Sequence, residues 1–189
     1  VVDQERSSNF SSHLISHGAE ISRNDFNARF NDEGSECMLN GLFMIGAEQL
    51  FDAHTMIDHA KPHCNSHEHY KGILQDKSKG VFNGKVMVRQ DAQKTNAFQQ
   101  NNTILLSDEA VMNTKPQLEI FADDVKCSHG ATIGKLNDEA KFYLKSRGIG
   151  EDAATAILIH AFASDVITSI KIPALRDYLE EIITKRFNQ

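Results

Sequence analysis

Short apolar and β-branched runs, separated by polar residues and glycine, fill the chain from residue 9 to about residue 136. They recur about every 8 to 13 residues, and none has the 3.6-residue period of a helix. No helical segment of about 10 residues separates them, so the pattern excludes an alternating βαβ fold and favours a sandwich, a barrel or a β-solenoid. The runs include "SSHLIS", "ECMLNGLFMIG", "HTMIDHA", "GVFNGKVMV", "NTILLS" and "QLEIFADDV".

Polar residues inside the predicted strands favour the solenoid among these three folds. The run "NAFQQNNTILL" places Gln99, Gln100, Asn101 and Asn102 in one strand. Such a run makes a poor sandwich core, whereas in a solenoid Asn and Gln side chains stack from coil to coil and satisfy one another's hydrogen bonds. We therefore predict a mainly β protein built on a β-solenoid.

The pattern becomes helical after Asn137. Asp138 is predicted as the N-cap of a helix over "EAKFYLKSR", and Gly148 lies where a left-handed C-terminal residue is expected. A second helix is predicted from about residue 151 to residue 170, and Pro173 is suited to the first turn of a third.

One stripe of the second predicted helix is strongly apolar and contains Ile159, Ala163 and Val166. Such a stripe is either buried in a helical bundle or exposed as a docking face for another protein. Both interpretations stay open from sequence alone.

These patterns divide the chain into a β-helical core over residues 1–136 and a C-terminal helical domain over residues 137–189. The chain has no initiator methionine and opens in strand-like alternation. We therefore expect the β-helix to be truncated at its N-terminal side, as the C-terminal portion of a longer protein.

Composition narrows the classes of partner. The net charge of −6 gives no electrostatic basis for binding nucleic acid. No apolar run approaches the roughly 18 residues of a membrane span, and the first residues lack the features of a signal peptide. The three cysteines, Cys37, Cys64 and Cys127, do not form a disulfide framework, which favours a reducing, cytoplasmic location.

The stretch "DDVKCSHGATIGKL" carries the most distinctive chemistry. Side chains alternate between the two faces of a strand, so Cys127 and His129 would share one face and could bind one ion. A phosphate-binding loop is excluded because the glycine spacing is wrong and Leu136 replaces the required Ser or Thr. One thiolate and one imidazole cannot complete the four ligands of an iron–sulfur cluster, so a partner chain would have to supply the rest.

Two other groups of residues are weaker candidates. The run "HTMIDHAKPHCNSHEHY", from His54 to His69 and Tyr70, invites a zinc interpretation, but its ligand spacing is wrong and a polar strand surface is favoured. Its role stays open. Asp123 and Asp124 would suit a sugar-cleaving enzyme, yet adjacent strand residues point to opposite faces and cannot easily flank one bond.

The run "TKPQLEIFADDVKCSHGATIGKLNDEAKFYLKSRGI" resembles the SufD branch of the SufB/SufD family, which belongs to the SUF iron–sulfur cluster assembly machinery. The segment "KGILQDKSKGVFNGKVMVRQDAQKTNAFQQNNTILLS" is similar to the one that precedes it in that branch. The corresponding stretch of the SufB branch lacks the Cys-Ser-His-Gly run. The resemblance covers roughly residues 35 to 170, dozens of residues in register rather than one short motif.

The resemblance implies a right-handed parallel β-helix followed by a small C-terminal α-helical domain. It implies a non-catalytic scaffold subunit that pairs with a SufB-like subunit through the β-helix and docks a SufC-like ATPase through the helices. It also implies that His129 takes part in cluster assembly, with Cys127 as its neighbour. No tightly bound cofactor is expected, but a transient iron–sulfur cluster at a subunit interface is, and a homodimer through the β-helix is a further assembly to consider.

Two alternatives come from other functional classes. A polysaccharide-active β-helix enzyme would bind sugar in a groove, although no placed carboxylate pair supports one. A purely structural β-helix subunit would use Cys127 and His129 only for packing, and cluster reconstitution with and without His129 would distinguish it from a scaffold.

Overall fold

A computed structural model of the protein describes residues 1–187. The last two residues of the predicted helical domain lie outside the described residues. Within those residues the chain forms ten strands followed by three helices. The elements are β1 (Val2–Gln4), β2 (Asn9–His17), β3 (Ile21–Phe30), β4 (Glu36–Ile45), β5 (Leu50–His59), β6 (Asn65–Leu74), β7 (Lys79–Val88), β8 (Asn96–Leu105), β9 (Val111–Ile120), β10 (Lys126–Gly134), α1 (Asp138–Ser146), α2 (Glu151–Thr168) and α3 (Pro173–Phe187).

Successive strands alternate between two parallel sheets. The odd-numbered strands form one sheet in the order β1-β3-β5-β7-β9, and the even-numbered strands form the other in the order β10-β8-β6-β4-β2. Each coil therefore adds one strand to the odd-strand sheet and one to the even-strand sheet, which is the geometry of a parallel β-helix. The predicted fold class, a β-solenoid followed by helices, is confirmed.

Sharp corners join the two sheets, and a residue with positive φ recurs at corresponding corners. Five of these residues are not glycine, so their left-handed backbone must be held by the structure around them. The residues are Ser7, Gly34, His63 and Lys94 before even-numbered strands, and Gly18, Ala47 and Asp76 before odd-numbered strands.

Large rings and glycines alternate in the apolar interior of the β-helix. Phe43 stacks on Phe51 with ring centroids 4.1 Å apart and an interplanar angle of 8°. A Cβ atom at Gly72, the partner of Phe43 on the next coil, would overlap the Phe43 ring. Gly41 is covered in the same way by the ring of Tyr70. Glycine at these positions makes room for a ring that lies flat against the neighbouring strand.

The polar run of β8 is divided between the two faces of its strand. Gln99 and Asn101 point inward and are fully buried. Each bonds to the preceding coil, Gln99 through its side chain to Glu68 and Asn101 to the backbone carbonyl of Tyr70. Both amides bond from coil to coil as predicted, but their partners are a carboxyl group and a backbone carbonyl rather than other amides, and Gln99 Oε1 stays unpaired.

Helix α2 packs on the outer face of the even-strand sheet. There Leu42, Met44 and Ile73 point outward and form one apolar cluster with residues of α2 and α3. Polar contacts fix the same interface, because the Lys71 ammonium donates to the Phe162 carbonyl at 2.8 Å and pairs with Asp165.

The apolar stripe of α2 lies inside this interface. Ile159, Ala163 and Val166 are only 1%, 0% and 1% exposed. The structure thus corrects the expectation that the stripe offers an exposed docking face, because the sheet and α3 cover it. Another protein cannot reach these side chains while α2 stays packed.

The helix ends differ slightly from those predicted. Asn137, rather than Asp138, is the N-cap of α1, because its side-chain oxygen accepts the backbone N–H of Ala140 at 2.9 Å. Gly148 has a φ of +86° just after the helix, as expected. None of these three helices is long and apolar enough to cross a membrane, as far as residues 1–187 show.

We predict that Gly72→Ala destabilises the protein by about 1–3 kcal/mol, because the added methyl group meets the Phe43 ring in a packed interior. Gly134→Ala is the matched control, since nothing lies within 4 Å of a Cβ atom there, and its effect should stay within about 0.5 kcal/mol. Urea unfolding of both variants tests this. Equal unfolding free energies would show that the close approach of ring and strand does not constrain the fold.

Candidate functional site

Strand β10 places Cys127 and His129 on the last coil of the β-helix. It pairs in parallel with β8, where Ala97 lies opposite Cys127 and Gln99 lies opposite His129. Ala97 and Gln99 are buried in the interior, so Cys127 and His129 extend two interior ladders. The prediction that they share one strand face is confirmed.

The two side chains differ in their surroundings. Cys127 is half-buried and packs against the apolar cluster that contains Val86, Val88 and Ala97. Burial raises the pKa of the Cys127 thiol, and the backbone N–H of Ala97 opposes this only in part. The thiol therefore becomes a thiolate ligand only when a metal ion or a partner displaces its proton. His129 is exposed, and its ring has no hydrogen-bond partner in residues 1–187.

Behind His129, a buried polar pair continues the ladder into the protein. Glu68, Gln99 and His129 occupy the same position on β6, β8 and β10. Both Glu68 and Gln99 are 0% exposed, and Gln99 Nε2 donates to Glu68 Oε2 at 2.6 Å. Their remaining oxygens, Glu68 Oε1 and Gln99 Oε1, are buried without a hydrogen-bond partner in the described chain.

Burial governs the ionisation of this interior. It raises the pKa of the Glu68 carboxyl to about 7, although the Thr55 hydroxyl and the Gln99 amide act in the opposite direction. Burial also raises the pKa of the Cys37 thiol to about 12, with a further contribution from Glu68. The hydroxyl of Tyr70 shows the same direction of pKa change, again chiefly through burial. Neutral forms are therefore favoured inside the β-helix.

The His-rich stretch is dispersed by the fold. His59 points inward, where its Nε2 lies 2.8 Å from the Ser66 hydroxyl, and burial lowers its pKa to about 3. His63 occupies a left-handed corner. His67 and His69 alternate with buried residues of β6 and point outward. No group of three or more His, Cys, Asp or Glu side chains in residues 1–187 is arranged to hold a metal ion.

The two acidic residues lie in the turn between β9 and β10. Asp123 and Asp124 are exposed, and Asp124 pairs with Lys94 of the preceding coil. Lys94 and Asp124 line an open pocket of about 340 Å³ at this corner, but Asp123 is not part of its lining, so the two carboxylates do not face one groove.

Apolar side chains are exposed around the last coil. Phe121 is 63% exposed and follows β9, while Ile133, on β10, is 45% exposed. The outer edges of β9 and β10 also carry no further strand in the described chain. Edge strands with exposed apolar residues are sites where other chains pair.

Comparisons with known proteins agree with this architecture. Residues 1–162 match the family model described as SUF system FeS cluster assembly, SufBD core domain. The chain belongs to the SufBD family. It is 40% identical over 175 residues to the iron–sulfur cluster assembly protein SufD of Escherichia coli, covering 93% of this chain and 41% of that protein.

Other members of the SufBD family show the same coverage. An iron–sulfur cluster assembly SufBD family protein of Synechocystis is 38% identical over 172 residues, or 91% of this chain and 38% of the relative. The SufD protein of Bacillus subtilis is 27% identical over 173 residues, or 92% and 39%. The chain therefore spans about two fifths of the length of these curated relatives. The part that it shares with the family is the SufBD core domain.

Sequence reasoning missed Glu68 and Gln99 as neighbours of His129. The available signal was their spacing of about 30 residues, the length of one coil, which places them on one ladder. Reading that signal requires the exact coil length, because a slip of one residue moves each side chain to the opposite face.

We predict that Glu68→Gln changes the pH dependence of stability of this SufBD protein. The folded-state pKa of Glu68, about 7, lies above the ordinary value of 4.5, so the wild type loses stability as pH rises through this interval. Because glutamine does not ionise and still offers an acceptor to Gln99, the variant should be more stable than the wild type by about 3 kcal/mol at pH 8 and similar to it at pH 4.5.

Urea unfolding at pH 4.5, 6, 7 and 8 measures this difference. Glu48→Gln, at an exposed glutamate, is the matched control and should show no such trend. A difference between Glu68→Gln and the wild type that is independent of pH would contradict the buried carboxyl as its cause.

Proposed function

We propose that this chain is the core of a non-catalytic scaffold subunit, in which an iron–sulfur cluster forms between His129 and Cys127 and ligands from a partner. The observation that carries the proposal is the position of these two side chains, which share a face of the last β-helical coil next to uncovered strand edges. Membership of the SufBD family supports an iron–sulfur cluster as the bound species, since relatives in this family are named as iron–sulfur cluster assembly proteins.

The partner is a SufB-type subunit that meets the last coil. Exposed apolar residues at this end, with Phe121 and Ile133 foremost, would be covered by such a subunit, and the edges of β9 and β10 would pair with its strands. A second copy of this chain could present the same edges to a homodimer. Analytical ultracentrifugation of the subunits, alone and mixed, distinguishes the two assemblies.

Two protein ligands are too few for a stable cluster. Cluster irons are ordinarily held by four ligands, so a thiol and an imidazole give a shared and transient site. The raised pKa of Cys127 agrees with this, because its thiol stays protonated until iron arrives. His129 is therefore the leading ligand and Cys127 the weaker one, and the iron and sulfide are cargo rather than a resident cofactor.

The helices dock a SufC-type ATPase through side chains other than those of the buried stripe. Phe142, on α1, is 73% exposed, and Ile157, on α2, is 45% exposed. Ile157 also lines a groove of about 320 Å³ between α2 and α3. Large exposed apolar residues of this kind favour a protein contact. Hydrolysis of ATP then belongs to the partner, and the three free cysteines fit a reducing compartment such as the cytoplasm.

We predict that His129→Ala lowers the cluster yield of the assembled complex by about tenfold or more, while the fold and the subunit pairing stay intact. Removal of an exposed imidazole with no hydrogen bond costs the fold little, which explains the separation of the two effects. Cys127→Ser should have a smaller effect. The measurement is iron and acid-labile sulfide per complex after anaerobic reconstitution of the full-length protein with its partners.

His17→Ala, at an exposed histidine of β2, is the matched control and should keep the wild-type yield. A normal yield in His129→Ala would refute the cluster role and support a purely structural subunit.

We also predict that substitutions at two exposed phenylalanines distinguish the ATPase-binding surface of the helices from the subunit-binding surface of the last coil. Phe142→Asp should weaken ATPase binding about tenfold or more without affecting the SufB-type subunit, because it places a charge in an apolar contact of the helices. Phe121→Asp should do the reverse at the last coil. Binding of each purified partner, measured by calorimetry, tests both, and each variant is the control for the other. Equal losses with both partners would show that the surfaces are not separate.

A further inference from the structure

The interior ladder ends in two polar groups that each lack a partner. Glu68, Gln99 and His129 occupy one position on three successive coils, and neighbouring strands lie about 4.8 Å apart. Side chains on adjacent rungs are therefore within hydrogen-bonding reach of each other. Gln99 Oε1 is buried without a partner, and the ring of His129 on the next rung has none in residues 1–187.

The Gln99 amide is held in one orientation. Its Nε2 donates to Glu68 Oε2 at 2.6 Å on the side away from β10. On the opposite wall it lies against Gly84, where a Cβ atom would overlap the amide nitrogen. Because Nε2 is bonded to Glu68, Oε1 is the polar atom of this amide that is left for the neighbouring rung, which carries His129.

An unpaired buried carbonyl oxygen needs an explanation. Leaving such an acceptor without a hydrogen bond costs roughly 1–3 kcal/mol, and few are found in native proteins. An apolar side chain at position 99 would avoid this cost, as Leu39 does on the same ladder two rungs earlier. The unpaired oxygen is therefore available to a hydrogen-bond donor on the neighbouring rung.

We propose that Gln99 is a positioning residue for His129. Its Oε1 accepts a hydrogen bond from one ring N–H of His129, so that the other ring nitrogen faces the incoming iron. This inference rests on the proposed cluster role of His129. A metal-binding histidine commonly donates its second ring nitrogen to an oxygen acceptor, which fixes the tautomer and the direction of the ring. Glu68 anchors the amide from behind and does not touch His129.

The experiment uses the full-length protein assembled with its SufB-type partner, free of iron and labelled with ¹⁵N in the histidine rings. The His129 signals are assigned by their absence in His129→Ala. In the wild type we expect a single tautomer, because one ring nitrogen donates to Gln99. Gln99→Met removes the acceptor at similar volume, and we expect it to return the ring to a mixture of tautomers and to lower cluster yield about tenfold.

Two further variants serve as controls. Gln100→Met makes the same change on the opposite face of β8 and should leave both the tautomer and the cluster yield unchanged. Because Gln99→Met leaves the Glu68 carboxyl without its donor, it is paired with Glu68→Met in a double variant. That variant removes both partners together, which limits the loss of stability. The double variant should reproduce the tautomer mixture and the lower yield.

The outcomes separate this inference from the function on which it rests. If His129→Ala lowers cluster yield but Gln99→Met keeps the single tautomer or the wild-type yield, the positioning role of Gln99 is wrong and the cluster role of His129 stands. If His129→Ala keeps the normal yield, the cluster role falls, and the tautomer comparison still decides whether Gln99 orients the ring. A tautomer mixture in the wild type would also overturn the inference.

Discussion

The in-register stacking of successive coils is the constraint on which the rest of the structure depends. Each residue of a strand lies directly above its counterpart about 30 residues earlier, so every side chain must be compatible with the one on the rung below. Rings over glycines satisfy this condition at Phe43 and Gly72, and a hydrogen bond satisfies it at Gln99 and Glu68. The same condition carries the alternation of faces to the last coil, where it directs His129 inward above Gln99.

The last coil is also where stacking ends, so its interior positions differ from those of the coils before it. Interior positions of β4, β6 and β8 are covered on both sides and are almost all buried, whereas His129 has a neighbour on one side only and is exposed. Cys127, on the neighbouring ladder, is intermediate because the apolar cluster of Val86 and Val88 still reaches it. The same sheet is backed by α2, whose buried stripe ties the helices to the β-helix.

Local patterns predicted most of the architecture and part of the site. Alternation in β10 was enough to place Cys127 and His129 on one face, because a period of two needs no knowledge of the neighbouring coils. The sequence left open whether Ile159 and its stripe are buried or exposed for docking, since an apolar helix face looks the same whether a sheet or another protein covers it. The ladder of Glu68 and Gln99 depends on coil length, which is set by corners. Several corners, at Ala47 and Lys94 for example, use residues that give no turn signal.

The ladder that contains Glu68, Gln99 and His129 includes side chains that lower the stability of the fold. From β2 to β10 its members are Ser12, Leu39, Glu68, Gln99 and His129, so three polar side chains follow one another toward the uncovered end. Burying a carboxyl and an amide with unpaired oxygens is less favourable than continuing the apolar packing of Leu39. The unpaired oxygen of Gln99, on the rung next to His129, is the observation on which the proposed positioning of the imidazole rests.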